Sequence, residues 1–98
     1  MAKDTRAAER KAPRSALEEV IHDGARELIA AAVGAELAEL LARYENVRLL
    51  DGRRAVVRNG WLPGREILTT VGSVAVQVPK VRDRAGGGVK FNSALVPP

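Results

Sequence analysis

The fold of this chain is decided by residues 58–83, which read RNGWLPGREILTTVGSVAVQVPKVRD. Residues 66–70 are typical of a strand with Ile67 and Thr69 on one face, and in residues 74–78 three valines alternate with Ala75 and Gln77, as expected of two half-buried strands. Between them, a Val-Gly-Ser sequence at residues 71–73 is typical of a turn. Pro79 has no N–H to donate to a ladder, so it ends the second strand or lies on an edge. The stretch therefore predicts an antiparallel β-hairpin with arginine or lysine at both ends.

Three short turn sequences precede the two predicted strands. Asp-Gly at residues 51–52, Asn-Gly at residues 59–60 and Pro-Gly at residues 63–64 each favour a change of chain direction. Glycine adopts positive φ without strain, and asparagine tolerates it better than most side chains. The single tryptophan follows the second turn and is interpreted as a core or interface anchor, with base stacking as the alternative. The predicted turn and anchor residues are Asn59, Gly60, Trp61 and Gly72.

The first half of the chain predicts helix. Ser15 and Glu18 have the spacing of a capping box, in which each side chain bonds the backbone N–H of the other residue, so the helix should begin there. One apolar stripe follows at helical spacing and consists of Leu17, Val20, Ile21, Gly24 and Leu28. A second stripe consists of Leu37, Leu40, Leu41 and Tyr44. On one continuous helix the second stripe would lie almost opposite the first.

Two opposite stripes cannot both pack on one small core, and this leaves two interpretations. In the first, the helix breaks or kinks near Val33 and Gly34, because glycine costs about 1 kcal/mol relative to alanine in a helix interior. In the second, the helix stays whole and uses one face within the fold and one face against another chain. We expect the break. The second stripe is the predicted core or partner-helix face.

The composition bounds the size and class of the protein. Its 98 residues allow one domain, and with 46% apolar but only 3% aromatic residues it has few large side chains for a core. We expect an α+β fold: a disordered basic tail at 1–14, a helical segment at 15–46, and a β-hairpin segment with a flexible C-terminal end at 47–98. Since cysteine, a signal peptide and a long apolar run are all absent from the sequence, we expect a cytoplasmic protein without a membrane partner.

Charge is distributed unevenly along the chain. Residues 1–14 carry +3, residues 15–50 carry −4 and residues 51–98 carry +5. Basic ends around an acidic middle favour contact with a polyanion at the ends and with protein in the middle. Arginine binds phosphate bidentately, and a two-stranded ribbon can enter the major groove of DNA. The alternative is that these charges protect strand edges from pairing. The candidate DNA-binding residues are Arg53, Arg54, Arg58, Arg65, Lys80, Arg82 and Arg84.

Candidates for catalysis are few. The one histidine, His22, has no candidate nucleophile or substrate beside it and is interpreted as a partly exposed structural residue. After residue 50 the only acids are Asp51, Glu66 and Asp83, all at expected turns or strand ends. We therefore expect no catalytic residue, no metal ligand and no cofactor in this chain.

Three motifs occur in order: an Arg-Asn-Gly-aromatic tetrad at residues 58–61, a Thr-x-Gly-x-Val turn at residues 70–74 and a Val-Pro-Lys-x-Arg exit at residues 78–82. Together they resemble the N-terminal region of Mutator-type bacterial insertion-sequence transposases. The resemblance implies binding to the terminal inverted repeats of an insertion element. It also implies that the Asp-Asp-Glu triad, which holds two divalent metals in that family, follows the region matched here. The expectation is a truncated transposase region that is not catalytic alone.

The leading hypothesis is therefore a DNA-binding region of a transposase, associated with the nucleoid when bound, with a second copy or a full-length transposase as protein partner. An alternative is a protein-interaction fragment that forms inactive mixed dimers with full-length transposase through the second helix stripe. A third hypothesis is an unrelated small basic nucleic-acid binder that converged on a β-hairpin.

Overall fold

The structure, a computed structural model, describes residues 15–98, and the basic tail expected at residues 1–14 lies outside them. The described chain has a small α+β fold, as predicted, with one helix followed by four antiparallel strands in two two-stranded sheets. The elements are α1 (Ala16–Arg43), β1 (Val56–Trp61), β2 (Arg65–Thr69), β3 (Gly72–Val76) and β4 (Pro79–Asp83).

Helix α1 is continuous, so the expected break near Gly34 is wrong. The helix begins as predicted, because the Ser15 side chain accepts a hydrogen bond from the Glu18 backbone N–H at 3.2 Å. Gly34 lies on the exposed side of the helix, where an added Cβ would meet nothing within 4 Å. Its penalty of about 1 kcal/mol is an entropic one, which the packing of neighbouring residues on the core offsets.

The two stripes of α1 have opposite environments. Leu37 is buried, and Leu40 and Leu41 pack against the core, so the second stripe faces the interior of the same chain. The first stripe is exposed: Leu17 keeps 69% and Leu28 keeps 73% of its surface accessible. The helix thus uses one face within the fold, and no described residue covers the other.

The four strands form one long, bent hairpin. β2 pairs with β3 from Thr69↔Gly72 to Arg65↔Val76, and β1 pairs with β4 farther from the tip. The backbone N–H of Leu62 donates to the carbonyl of Val78 at 2.8 Å and continues the ladder between the two sheets. The first arm, residues 56–69, is two residues longer than the second arm, residues 72–83. One extra residue lies between Arg58 and Trp61 and the other between Trp61 and Arg65. These two irregularities bend the ribbon.

One irregularity replaces a predicted turn. Asn59 and Gly60 lie inside β1, where the register shifts between Arg58 and Trp61, so they form a bulge and the chain does not reverse. The positive φ expected at Gly60 is confirmed at 70°. A bulge and a tight turn both accept a glycine in this conformation, so the Asn-Gly dipeptide alone does not distinguish a bulge from a turn.

Of the other predicted turns, those near residues 51–52 and 71–73 are present, whereas the turn expected at Pro63-Gly64 is wrong. These two residues lie between β1 and β2 in the first arm of the ribbon, at the second irregularity, and the chain does not reverse there. Proline and glycine are found at irregularities between paired strands as well as in turns. At residues 51–52, the Gly52 N–H donates to the Leu49 carbonyl at 2.9 Å, and φ is 88°. The hairpin tip is Thr70-Val71, slightly before the expected position, and Gly72 leaves it with φ of 98°.

The core lies between α1, the β2–β3 hairpin and the C-terminal segment. Its buried members are Val33, Leu37, Val74, Val76, Val78, Phe91 and Val96. Val74 and Val76 alternate with exposed Ala75 and Gln77, which confirms the predicted strand pattern. The sequence offered no partner for the last residues, and the structure supplies one by packing Phe91 and Val96 into this core. In the part of the chain that is described, the helix is not long and apolar enough to cross a membrane.

Candidate nucleic-acid interface

The predicted basic residues have different roles, and two of them hold the fold together. Arg65 donates from Nη2 to the backbone carbonyls of Val96, at 3.0 Å, and Pro97, so it fastens the C-terminal segment to β2. Arg84 donates from Nη2 to the carbonyl of Arg54 at 2.5 Å, and its Nε is buried with no acceptor among residues 15–98. Guanidinium groups held in this way have fewer N–H donors free for a phosphate.

Two further arginines are paired with acids beside the Asp-Gly turn. The Arg53 Nε lies 2.6 Å from Asp51 Oδ2, and the Arg54 Nη2 lies 3.7 Å from Glu45 Oε1. The backbone N–H of Arg53 and then its guanidinium hold the pKa of Asp51 below its usual value, because both bond the charged carboxylate. All four side chains are about half exposed, so each pair contributes little to stability but reduces the local positive field.

Arg58 lies on the tryptophan. Its guanidinium carbon is 4.3 Å from the centre of the Trp61 ring, within the range of a cation–π contact. Trp61 remains 49% exposed, so its interpretation as a core anchor is wrong for this chain, and the interface anchor and base stacking stay predictions. The ring borders an open, mostly apolar groove of about 570 Å³, whose opposite wall is formed by α1 residues such as Ile29 and Val33.

Lys80 and Arg82 are the remaining candidates, and they share one face of β4. Residues paired across a ladder lie on the same face, and neighbours along a strand alternate. Arg82 pairs with Val57, whereas Arg58 pairs with Val81, so Arg58 lies on the opposite face of the ribbon. Lys80, two residues before Arg82, belongs to the Arg82 side. We call this surface the Lys80–Arg82 face.

The Lys80–Arg82 face is exposed and electrostatically unpaired. Within residues 15–98, neither cation has a carboxylate at ion-pair distance. Helix α1 makes its main contact with β3, so β1 and β4 form the end of the ribbon that is away from the helix. The acidic helix therefore leaves this basic end of the ribbon accessible.

The predicted partner-helix face is mostly internal. Leu37 is 5% exposed, and Leu40, Leu41 and Tyr44 are partly buried, because this side of α1 covers the strands. A surface already packed on its own core cannot also bind a full-length transposase. The interpretation of this stripe as core is correct, and its interpretation as a partner surface is wrong.

His22 joins the helix to the hairpin. Its Nε2 lies 2.7 Å from the carbonyl oxygen of Ser73, which can only accept, so Nε2 carries the proton. The side chain is 14% exposed, as expected of a structural histidine. In the described part of the chain, no group of three or more His, Asp or Glu side chains is arranged to hold a metal ion.

Comparison with family models, with curated proteins and with solved structures finds no match to this chain. The assignment of function therefore depends on the residues and their geometry.

Proposed function

We propose that the chain is a DNA-binding region of a Mutator-type transposase, and that its β-ribbon holds the ends of the element through the Lys80–Arg82 face. The observation that carries the proposal is that Lys80 and Arg82 are exposed, unpaired with any described carboxylate, and on one face of the ribbon end away from the helix.

The spacing of the two cations suits a nucleic-acid backbone. Residues two apart on a strand are about 6.6 Å apart. Measured along the axis of a duplex, this distance corresponds to about two nucleotide steps, because each strand rises about 3.4 Å per nucleotide. A two-stranded ribbon also has the width to enter a major groove, and its bend at Gly60 allows the basic end to follow a curved surface.

Charge balance supports the same face. The ribbon of residues 56–83 carries four basic and two acidic side chains, whereas α1 carries six acidic and two basic ones. A polyanion is attracted to the ribbon end and repelled by the helix, which orients the protein on DNA. The competing explanation, protection of strand edges by charge, predicts no affinity for DNA.

The test measures binding to two duplexes as a function of salt. One duplex comes from the DNA flanking this reading frame, and the other is a scrambled duplex of equal composition. The logarithm of the affinity should fall linearly with the logarithm of salt concentration, with a slope of about −0.9 per phosphate neutralised. The double variant Lys80→Ala/Arg82→Ala should make this slope shallower by about 1.8.

The matched control is Arg26→Ala/Arg43→Ala, which removes the same two charges from the helix and should leave the slope unchanged. If both double variants make the slope shallower by the same amount, net charge alone is responsible for binding, and this result would contradict the proposed face. The transposase assignment is tested separately by the genomic DNA after the codon for Pro98. An Asp-Asp-Glu domain encoded there would support the family, and its absence would reject the family without affecting DNA binding.

A further inference from the structure

The outer face of α1 has a heptad spacing that neither the core nor the ribbon uses. Its first half carries Leu17, Ile21, Gly24 and Leu28, which alternate in steps of four and three residues. The leucine and isoleucine side chains are exposed, and the Gly24 backbone is half-buried. Steps of four and three describe the a and d positions of a coiled coil, where one helix packs along another.

The second half of the helix continues the same steps without interruption. Ala31, Ala35, Ala38 and Ala42 occupy the next positions of the repeat, and all four are exposed. We call the complete row, from Leu17 to Ala42, the outer seam. Its eight residues are all apolar or glycine. They span positions 17–42 of the helix, which corresponds to a length of about 39 Å.

The outer seam lies on the side of the helix opposite the core. In this register Val33 and Leu40 occupy the f positions, which face away from a and d, and both contact the core of the same chain. The helix can therefore pack against a partner along its whole length without any rearrangement of the fold.

We infer that a second copy of this chain covers the outer seam and that the two helices run antiparallel. The argument is the order of side-chain sizes along the seam. In an antiparallel pair centred between Leu28 and Ala31, Leu17 meets Ala42 of the other copy, and Ile21 meets Ala38. Nearer the centre, Gly24 meets Ala35 and Leu28 meets Ala31.

This arrangement is self-complementary under a two-fold axis, as a symmetric homodimer requires. Three of the four distinct layers oppose one large and one small side chain, so the two helices keep a nearly constant separation. A parallel pair would place leucine on leucine at one end and alanine on alanine at the other. The helices would then separate progressively, and the alanine end would lose its contacts.

The residues beside the seam provide an independent test of direction. In the antiparallel pair, Glu18 of one copy lies next to Glu39 of the other, and symmetry repeats this contact at the other end. Both carboxylates belong to exposed residues. Glu27 faces Gly34 and has no charged neighbour across the seam. In a parallel pair Glu39 would instead face Gly34.

The first experiment measures the mass of the full chain by sedimentation between about 1 μM and about 500 μM, a range that spans moderate dimer affinities. A dimer is expected, and Leu28→Asp should dissociate it by placing a charge at its centre. The control is Leu50→Asp, the same change at a fully exposed leucine in a turn, which should remain dimeric. A monomer at every concentration, or a dimer that tolerates Leu28→Asp, would overturn the inference. If a different protein covers the outer seam, this chain alone will stay a monomer at every concentration.

The second experiment determines direction by disulfide cross-linking, which is unambiguous because the chain has no cysteine of its own. A mixture of Ile21→Cys and Ala38→Cys proteins should cross-link between the two species. Ile21→Cys alone should not, because its two cysteines would be about 25 Å apart in the antiparallel pair. Cross-linking of Ile21→Cys with itself would show a parallel pair instead.

Charge reversal gives a third readout that does not weaken packing. Glu39→Lys should tighten the dimer about threefold or more, because two like-charge contacts become opposite-charge contacts. Glu27→Lys, which makes the same change in net charge on the same helix, should not tighten it. Equal effects of the two variants would reject the antiparallel register. The inference does not rest on DNA binding, so the Lys80→Ala/Arg82→Ala protein should dimerise normally.

Discussion

Ser93 and Glu36 join the C-terminal segment to the helix. The Ser93 hydroxyl donates to Oε1 of Glu36, and the backbone N–H of Ala94 donates to Oε2 at 2.7 Å. The Ser93 oxygen also accepts from the N–H of Val96 at 2.9 Å. One carboxylate on α1 thus organises the segment that carries Phe91 and Val96 into the core.

This arrangement predicts a loss of stability in acid. The Ser93 hydrogen bond, supported by backbone N–H groups, holds the pKa of Glu36 below its usual value of 4.5. The unfolded chain therefore binds the proton first. The contribution of Glu36 to stability is fully present above about pH 4.5 and is lost as the pH falls through the lower folded pKa.

Urea denaturation from about pH 7 to about pH 3 measures this loss. Glu36→Gln should be less stable than the native protein at neutral pH and should show a smaller further loss in acid. Glu27→Gln, at an exposed position of the same helix without a charged neighbour across the outer seam, should keep the native acid response. An unchanged pH dependence in Glu36→Gln would contradict the assigned role of its carboxylate.

Two glycines should respond to the same substitution with opposite signs. Gly34→Ala should stabilise the protein by about 1 kcal/mol, because a helical position gains the preferred residue and the added Cβ meets nothing. Gly60→Ala should destabilise it by about 1–2 kcal/mol, because Gly60 has a left-handed φ of 70°. Thermal unfolding of both variants checks the pair, and stabilisation by Gly60→Ala would show that the bulge is not a fixed feature of β1.

Two leucines of α1 distinguish the core from the outer seam. Leu37→Ala should reduce stability by about 2–5 kcal/mol at any protein concentration, because the buried side chain leaves a cavity. Leu28→Ala should have an effect of less than about 0.5 kcal/mol in dilute protein, because the side chain is exposed in the monomer. Its effect should grow with concentration as the dimer forms. A loss of stability in Leu28→Ala that is the same at every protein concentration would argue against the outer seam as a dimer surface.

The sole tryptophan reports on the two faces of the ribbon. Arg58→Ala should increase quenching of Trp61 fluorescence by acrylamide, because the guanidinium covers the half-exposed ring. Arg82→Ala, on the opposite face, should not change it. DNA bound at the Lys80–Arg82 face should likewise leave the quenching nearly unchanged. Strong protection of Trp61 by DNA would instead indicate that the Arg58 face is the binding surface.

Local chemistry explains which features could be predicted. Ser15 caps the helix through a contact three residues away, and the β2–β3 hairpin joins residues across a two-residue tip. Val74 and Val76 alternate with exposed positions because a strand has a period of two. Such features depend on residues close together in the chain, so the order of side chains is sufficient to predict them.

Distant contacts determined the features that could not be predicted. Asn59-Gly60 is compatible with a turn or a bulge, and it becomes a bulge because β4, about 20 residues later, pairs with β1 on both sides of it. The basic residues could be counted in the sequence, but only the fold engages Arg65 and Arg84 with backbone carbonyls and leaves Lys80 and Arg82 exposed.

The two stripes of α1 illustrate the same division. The sequence by itself determined that the helix has two apolar sides, because 3.6 residues per turn place them there. Only the tertiary structure decided that the helix stays whole and that the stripe with Leu37 faces inward. The physical reason is that burial against β3 and the C-terminal segment outweighs the entropy penalty of Gly34. Packing on the inner side leaves the outer seam without a partner from its own described chain.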